Sequence, residues 1–319
     1  MTDTLHALVH TLRFEAQDII SIELRPAGDA TWPAFEAGSH IDLHLPTGTV
    51  RSYSLLNDPA ERGRYVLGVL NDKASRGGSR WIHEHLRVGT TIKISAPRNN
   101  FALHEEAPRS VLVAGGIGVT PILCMARRLK TLGKPFEVLY FARSRQAAAF
   151  VAELEALGAP ITLHFDDERG GPPDLKALLA ARAGEGTHYY ACGPTPMLDA
   201  FEQHCAALGF GDRAHIERFV AVEVAAAADA KASYTVELRQ SGKTITVTAE
   251  GSLLEAIRAA GIDPPTSCED GICGACETRV LEGTPDHRDS VLSKAEREAN
   301  KAMMICVSGC RSERLVLDL

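Results

Sequence analysis

Apolar and polar positions alternate in short runs over the first hundred residues. Residues 6–12, 19–24, 40–45, 51–55, 65–70 and 91–94 carry this strand period, and Gly28, Pro46-Thr47-Gly48, Asn57-Asp58-Pro59 and Gly63 punctuate them. Short strands at such spacing predict a small antiparallel β-barrel, interrupted by a short helix that starts near Ser79. From about residue 108 the rhythm changes. Ser110-Val111-Leu112-Val113-Ala114 is continuously apolar but for its first residue, as expected of a strand buried on both faces. Helix over 121–132, strand over 136–140, helix over 150–157 and strands over 161–165 and 188–191 follow. That alternation predicts an α/β doubly wound parallel sheet. An alanine-rich stretch then reads as a linker. Beyond it, 234–239 and 244–248 form a hairpin around Ser241-Gly242, and a helix over 252–260 stops at Gly261, a helix-terminating glycine. The expected divisions are therefore 1–104, 105–222, a linker at 223–232, and 233–319.

Composition narrows the class. The 319 residues are 45% hydrophobic and 24% charged, as in globular chains, and the formal net charge is -7. A mildly acidic chain lacks the basic footprint of a nucleic-acid binder. No apolar run approaches a membrane span, and the start has no secretory pattern. The expectation is a cytoplasmic protein without nucleic-acid or membrane partners.

The eight cysteines are unevenly placed. Cys268, Cys273 and Cys276 read C-x4-C-x2-C, and Cys306 lies thirty residues on. This is the plant-type spacing for a 2Fe-2S cluster. Gly271, Gly274 and Ala275 leave room for backbone amides to approach the sulfurs, and glycine tolerates the positive φ that a tight wrap demands. Structural zinc sites instead show cysteine pairs at knuckle spacing, and no second pair is present here. Cys310 reads as a spare thiol. The stretch 232–319 resembles a plant-type ferredoxin domain throughout.

Two further motifs carry chemistry. Arg51-Ser52-Tyr53-Ser54-Leu55 resembles the R-x-Y-S signature of the ferredoxin reductase-type flavin domain. Arg51 offers a charge-assisted fork to a phosphate, Tyr53 a flat face or hydroxyl to an isoalloxazine ring, and Ser54 a hydroxyl to the flavin N5 edge. Arg76-Gly77-Gly78-Ser79 opens a helix, and a glycine turn there makes an anion site. His83-Glu84-His85 lacks metal spacing and reads as solvated helix. Gly115-Gly116-Ile117-Gly118-Val119-Thr120-Pro121 follows the buried strand and opens a helix, which lets backbone approach a pyrophosphate. Cys192-Gly193-Pro194 ends another strand, where open α/β sheets bind cofactors. After the second strand come Arg143-Ser144-Arg145, with no acid to read the ribose hydroxyl of NADH and two arginines of the kind that reads the 2′-phosphate of NADPH.

In this order the motifs R-S-Y-S-L, R-G-G-S, G-G-I-G-V-T-P, C-G-P and the cysteine loop resemble the phthalate dioxygenase reductase family, to which vanillate demethylase reductases belong. The resemblance covers essentially the whole chain. It implies a multidomain fold: antiparallel β-barrel flavin domain, α/β doubly wound nicotinamide domain, and α+β ferredoxin-like (β-grasp) 2Fe-2S domain. It implies FMN as the flavin, held by Arg51, Ser52, Tyr53, Ser54, Gly68, Val69, Leu70, Gly77, Gly78, Ser79, Thr120 and Phe219. Leu70 stands where the family often has a basic residue. The resemblance implies NADH at Gly115, Gly116, Ile117, Gly118, Cys192, Gly193 and Pro194, with Cys192 flanking the nicotinamide and Ser54 near flavin N5 as catalytic residues. It implies a reductase that passes electrons from NADH through FMN and the cluster, held by Cys268, Cys273, Cys276 and Cys306, singly to a Rieske-type terminal oxygenase. Between 263 and 289, Asp263, Glu269, Asp270, Glu277, Glu282, Asp286 and Asp289 outnumber Arg279 and Arg288, which predicts an acidic docking face. The competing readings are a zinc-holding module without turnover, and a free-standing flavin oxidoreductase acting on a small acceptor such as a quinone.

Overall fold

The computed structural model describes residues 4–28, 31–73, 76–221, 226–248 and 251–319. The chain divides into two compact units, residues 2–218 and 219–319.

The first unit opens with strands β1 (Thr4–Ala16), β2 (Ile19–Pro26), β3 (Ser39–His44), β4 (Val50–Ser54), β5 (Tyr65–Leu70), β6 (Thr91–Ser95) and β7 (Arg98–Asn99), with helix α1 (Gly78–His85) between β5 and β6. The sheet order is β4-β3-β6-β1-β2-β5, with β7 on β3, and its named pairs are all antiparallel. Among the described residues the two ends of this path meet through an isolated bridge, Leu55 to Leu67, joined by Leu56 N–H donating to the Val66 carbonyl at 2.9 Å. The predicted barrel is thus a strongly curled sheet whose seam is a single bridge. That seam sets Ser54 and Gly68 near one another.

The rest of this unit is a parallel sheet of β8 (Arg109–Gly115), β9 (Phe136–Ala142), β10 (Ile161–Phe165), β11 (Thr187–Cys192) and β12 (Ala214–Glu217), in the order β10-β9-β8-β11-β12. Strand period sorts its side chains cleanly. Leu112, Ala114, Val138, Tyr140, Tyr190 and Cys192 belong to one core with α2 (Val119–Thr131). Val111, Val113, Leu139, Phe141, Tyr189 and Ala191 belong to another. That second core is shared with α5 (Leu175–Ala180) and α6 (Thr195–Ala207). Both faces are covered, as the apolar run at 110–114 predicted. The helix expected over 150–157 is the shorter α3 (Val151–Glu155), which starts after Phe150 because that residue takes φ 62° and is buried. A four-residue helix, α4 (Asp166–Arg169), follows β10.

Barrel residues such as Ile41, Leu43 and Leu67 lie in the same buried cluster as α2 and one face of the parallel sheet, so removing a shared side chain such as Leu112 would cost about 2–5 kcal/mol across both.

The second unit contains β13 (Tyr234–Leu238), β14 (Lys243–Val247), α7 (Leu253–Ala259), β15 (Glu277–Glu282), β16 (Pro285–Asp286), α8 (Lys294–Ala299), β17 (Ala302–Met304), β18 (Gly309–Cys310) and β19 (Arg314–Leu317). The main sheet runs β14-β13-β19-β15-β17, with β13 and β19 parallel, while β16 pairs with β18. Leu253, Leu254 and Ile257 of α7 pack on Val236, Leu238, Met303 and Leu315, the grasp of a helix by a sheet. Ser252 and Glu255 form a reciprocal cap at the start of α7. Gly261 at φ 78° ends it as predicted.

Of the expected linker, 223–225 lies outside the described residues. Its remainder is tied down: Ala227 N–H donates to Asp286 at 3.2 Å, Lys231 N–H to the Cys310 carbonyl at 2.8 Å, and Asp229 receives both arms of Arg311 at 2.8 Å. Residues 226–232 are thus an extension of the second unit. The division also falls at 218/219, ahead of the predicted 222.

Candidate functional site

The flavin motifs converge. β4 carries residues 51–54, and β3 beside it fixes their register, with Asp42 opposite Ser52 and His40 opposite Ser54. The Ser52 hydroxyl donates to Asp42 at 2.7 Å, and Arg98 holds the other oxygen of that carboxylate at 2.7 Å. Ser52 is therefore a buttress of the strand. The Arg51 side chain lies over Gly78, where a Cβ would come within 2.7 Å of its Cγ. Gly77 at φ 105° turns the chain into α1 at that point. The two motifs predicted to grip one phosphate are therefore adjacent, an arginine beside a helix N-terminus, which is an anion-binding arrangement. Ser79 Oγ accepts from Asp72 N–H at 3.3 Å.

Gly68, Val69 and Leu70 form the end of β5. A Cβ on Gly68 would meet Thr120 at 2.6 Å and Phe150 at 3.2 Å. The glycine thus allows α2 to approach β5 and brings Thr120 to the flavin motifs. Val69 is core, and its carbonyl bonds the His83 ring at 3.0 Å. His83 is thus seated on β5 and not merely solvated, as the sequence suggested. Tyr53 is held above the ordinary phenol range by burial.

The nucleotide motifs also meet. Gly115 ends β8, Gly116-Ile117-Gly118 makes one tight turn, and Val119 begins α2. A Cβ on Gly118 would overlap the Cys192 carbonyl, and one on Gly193 would lie 2.9 Å from Gly115 Cα. Backbone against backbone, these loops leave no room for side chains. Pro194 precedes α6, and a Cβ on Gly115 would touch it at 2.7 Å. Past β9, Arg145 pairs with Glu168 at 3.1 Å and stands over the Phe165 ring at 4.5 Å, while Arg143 is exposed.

A residue that the sequence reading passed over joins the two clusters. Ser54 Oγ donates to Glu217 at 3.2 Å. Glu217 ends β12 in register with Cys192 at the end of β11. Burial pushes the Glu217 carboxyl up to about 8, only partly offset by Ser54. Burial, then the neighbouring Glu217, raise the Cys192 thiol well above its usual value. At neutral pH this junction holds a carboxylic acid, a hydroxyl and a thiol, all uncharged. The available signal was position: an acidic residue at a strand end beside the Cys192 strand end.

Phe219 belongs to the second unit and is 36% exposed.

In the second unit the four predicted cysteines come together. Cys276 and Cys306 sulfurs lie 3.2 Å apart. Cys273 sits beside Cys268 and raises its thiol, and Cys276 does the same to Cys306. The Cys276–Cys306 contact lowers the Cys276 thiol as it raises that of Cys306, so crowded sulfurs become thiolates together only when cations share them, which is the chemistry of a metal cradle. Asp270 N–H donates to Cys268 Sγ at 3.3 Å, and the Ile272 and Gly271 amides favour the thiolates of Cys268 and Cys306. Gly271 and Gly274 take φ 71° and 72°. A Cβ on Gly271 would strike Val307 at 2.7 Å. Convergent sulfurs ringed by amides fit a 2Fe-2S cluster. Cys310 is buried on the Ser312 and Thr284 carbonyls, apart from the four.

The acidic face is thinner than the sequence predicts. Asp286 and Asp289 are buried, the first on Ala227 and Arg288, the second capping Val291 and Leu292. Glu269 pairs with Arg258.

Comparison with known proteins adds independent findings. Residues 236–311 match the 2Fe-2S iron-sulfur cluster binding domain, and residues 90–215 the N-terminal domain of dimethylamine monooxygenase subunit DmmA-like proteins. The chain is 50% identical to phenoxybenzoate dioxygenase subunit beta of Ectopseudomonas oleovorans, over 98% of this chain and 96% of that protein. It is 46% identical to tetrachlorobenzoquinone reductase of Sphingobium chlorophenolicum, over 99% and 98%. The solved structure of phthalate dioxygenase reductase, described as a modular structure for electron transfer from pyridine nucleotides to 2Fe-2S, superposes with a TM-score of 0.71 at 36% identity, over 99% of this chain and 98% of that one. Among the described residues no helix is long and apolar enough to cross a membrane.

Proposed function

The chain belongs to the phthalate dioxygenase reductase family, and from that premise we propose that it carries electrons from NADH, by way of FMN and a 2Fe-2S cluster, singly to the Rieske-type oxygenase component of an aromatic-ring oxygenase or O-demethylase. The observation that carries this reading is the four-sulfur cradle in the same chain as the Ser54–Glu217–Cys192 junction.

When bound, NADH supplies an electron pair as hydride, FMN exchanges one or two electrons, and the cluster exchanges one. The chain's own residues do the rest. Arg51 and the start of α1 hold the FMN phosphate. Ser54 orients the flavin N5 edge, and Glu217 holds a proton behind it. Gly115, Gly116, Ile117 and Gly118 admit the NADH pyrophosphate, and Gly193 and Pro194 shape the opposite wall. The buried Cys192 keeps water from the nicotinamide. The engagement of Arg145 with Glu168 leaves it poorly placed for a 2′-phosphate, which favours NADH. Among the described residues no disulfide joins any of the eight cysteines, which suits the reducing cytoplasm. The remaining outer acids, Asp263 and Glu277 among them, steer docking onto a basic patch of the oxygenase, and that encounter weakens with salt.

A second reading is favoured by the relative named as a quinone reductase: delivery to a small quinone without a protein partner. Steady-state NADH oxidation by the holoprotein, with a substituted benzoquinone alone and with a Rieske-type oxygenase component plus its aromatic substrate, separates the two. The oxygenase reading expects product formed in step with NADH, falling as ionic strength rises. Rapid quinone turnover, with no oxygenase supporting product, overturns it.

A further inference from the structure

Three of the chain's twelve histidines meet away from the cofactor loops, brought from three separate segments. His188 lies in β11, His215 in β12, and His104 in the connection between β7 and β8. One ring nitrogen from each falls within 4.8 Å of the other two. His188 Nδ1 and His215 Nε2 are 2.9 Å apart. The planes of the His188 and His215 rings are within 9° of parallel, and His104 sits 4.7 Å from each by ring centroid.

The arrangement is anchored. His188 and Tyr190 share one face of β11, and His215 is the register neighbour of Tyr190. The Tyr190 ring stacks on His215 at 4.8 Å, and its hydroxyl accepts from the His104 backbone N–H at 2.8 Å. Ser110 is paired with His188 in register, and its hydroxyl is buried without a hydrogen-bond partner. The cation facing His188 is Arg213, whose guanidinium is engaged by the Gly184 and Thr187 carbonyls.

We propose that His104, His188 and His215 bind one divalent transition-metal ion of the zinc type. Three imidazoles are a borderline-soft donor set suited to such ions and unsuited to calcium or magnesium. Bonds of about 2.1 Å in a tetrahedron place ligand nitrogens about 3.4 Å apart, between the shortest and longest spacings here. Two ligands are fixed by neighbouring strands, and the exposed His104 supplies the adaptable third and leaves a fourth position to water. The site lies near the start of β11, whereas Cys192 ends it. At about 3.3 Å per residue this places the ion about 13 Å from the nicotinamide loop, outside the redox machinery.

The test is calorimetric titration of zinc into tag-free holoprotein, with flavin and cluster absorbance monitored. One equivalent is expected to bind with both spectra unchanged. His104→Gln, a change in an exposed loop that leaves the fold intact, and His188→Asn should each weaken binding at least about tenfold. No saturable binding in about tenfold excess of zinc, or binding that His104→Gln leaves unaltered, overturns the proposal.

Discussion

The two units build their sites by opposite means. In residues 219–319 the chemistry is carried by side chains from one loop and one later residue, four sulfurs in a single cradle. In residues 2–218 it is carried largely by backbone. Glycines at 68, 78, 115, 118 and 193 mark places where another strand, helix or loop comes too close for a Cβ, and the few functional side chains come from β4, β11 and β12. A sulfur site needs the right atoms at the right spacing, while a nucleotide site needs space and a strand end. The first kind survives a change of backbone neighbour that destroys the second.

That contrast can be broken at Glu217, where the first unit relies on a side chain's protonation. Its folded pKa of about 8 lies above the ordinary carboxylate value of about 4.5. The stability of the protonated acid is therefore complete below about pH 4.5 and is lost as pH rises through 8. Glu217→Gln should leave stability unchanged at pH 4 and raise it by about 3–5 kcal/mol at pH 9. Denaturant melts across that range check it, and parallel curves for the two proteins would show that the carboxyl is not buried as described.

Gly118→Ala sharpens the contrast. The new Cβ meets the Cys192 carbonyl and pries two loops apart. It should destabilise the first unit by about 2–3 kcal/mol and weaken NADH binding, while iron content stays at wild-type level. Smaller still, Arg51→Ala removes a charge-assisted contact from the phosphate site. FMN retention should fall about ten- to a hundredfold, measured as flavin released on ultrafiltration, with cluster absorbance unmoved.

Legibility in the sequence follows the same division. Cys268, Cys273, Cys276 and Cys306 were readable because spacing along the chain sets the reach of sulfurs in one loop. The apolar run at 110–114 announced a strand covered on both faces, and the structure puts alternate residues into two cores. Glu217 was missed because its significance lies in its neighbours: Ser54 is 163 positions away in sequence. The inward turn of Asp286 and Asp289 was also invisible, since their partners come from the presumed linker and from backbone caps. The same holds for that linker, whose alanines hide the anchoring roles of Asp229 and Lys231.

The central claim is that a hydride-accepting site and a one-electron site work in series within one chain. Cys268→Ser tests it most directly, since Cys268 belongs to the sulfur cradle and not to the flavin or nucleotide motifs. Stopped-flow reduction of the anaerobic variant by NADH should bleach the flavin at the wild-type rate, while electron delivery to the oxygenase falls about a hundredfold or more. Delivery retained at the wild-type rate would contradict the account.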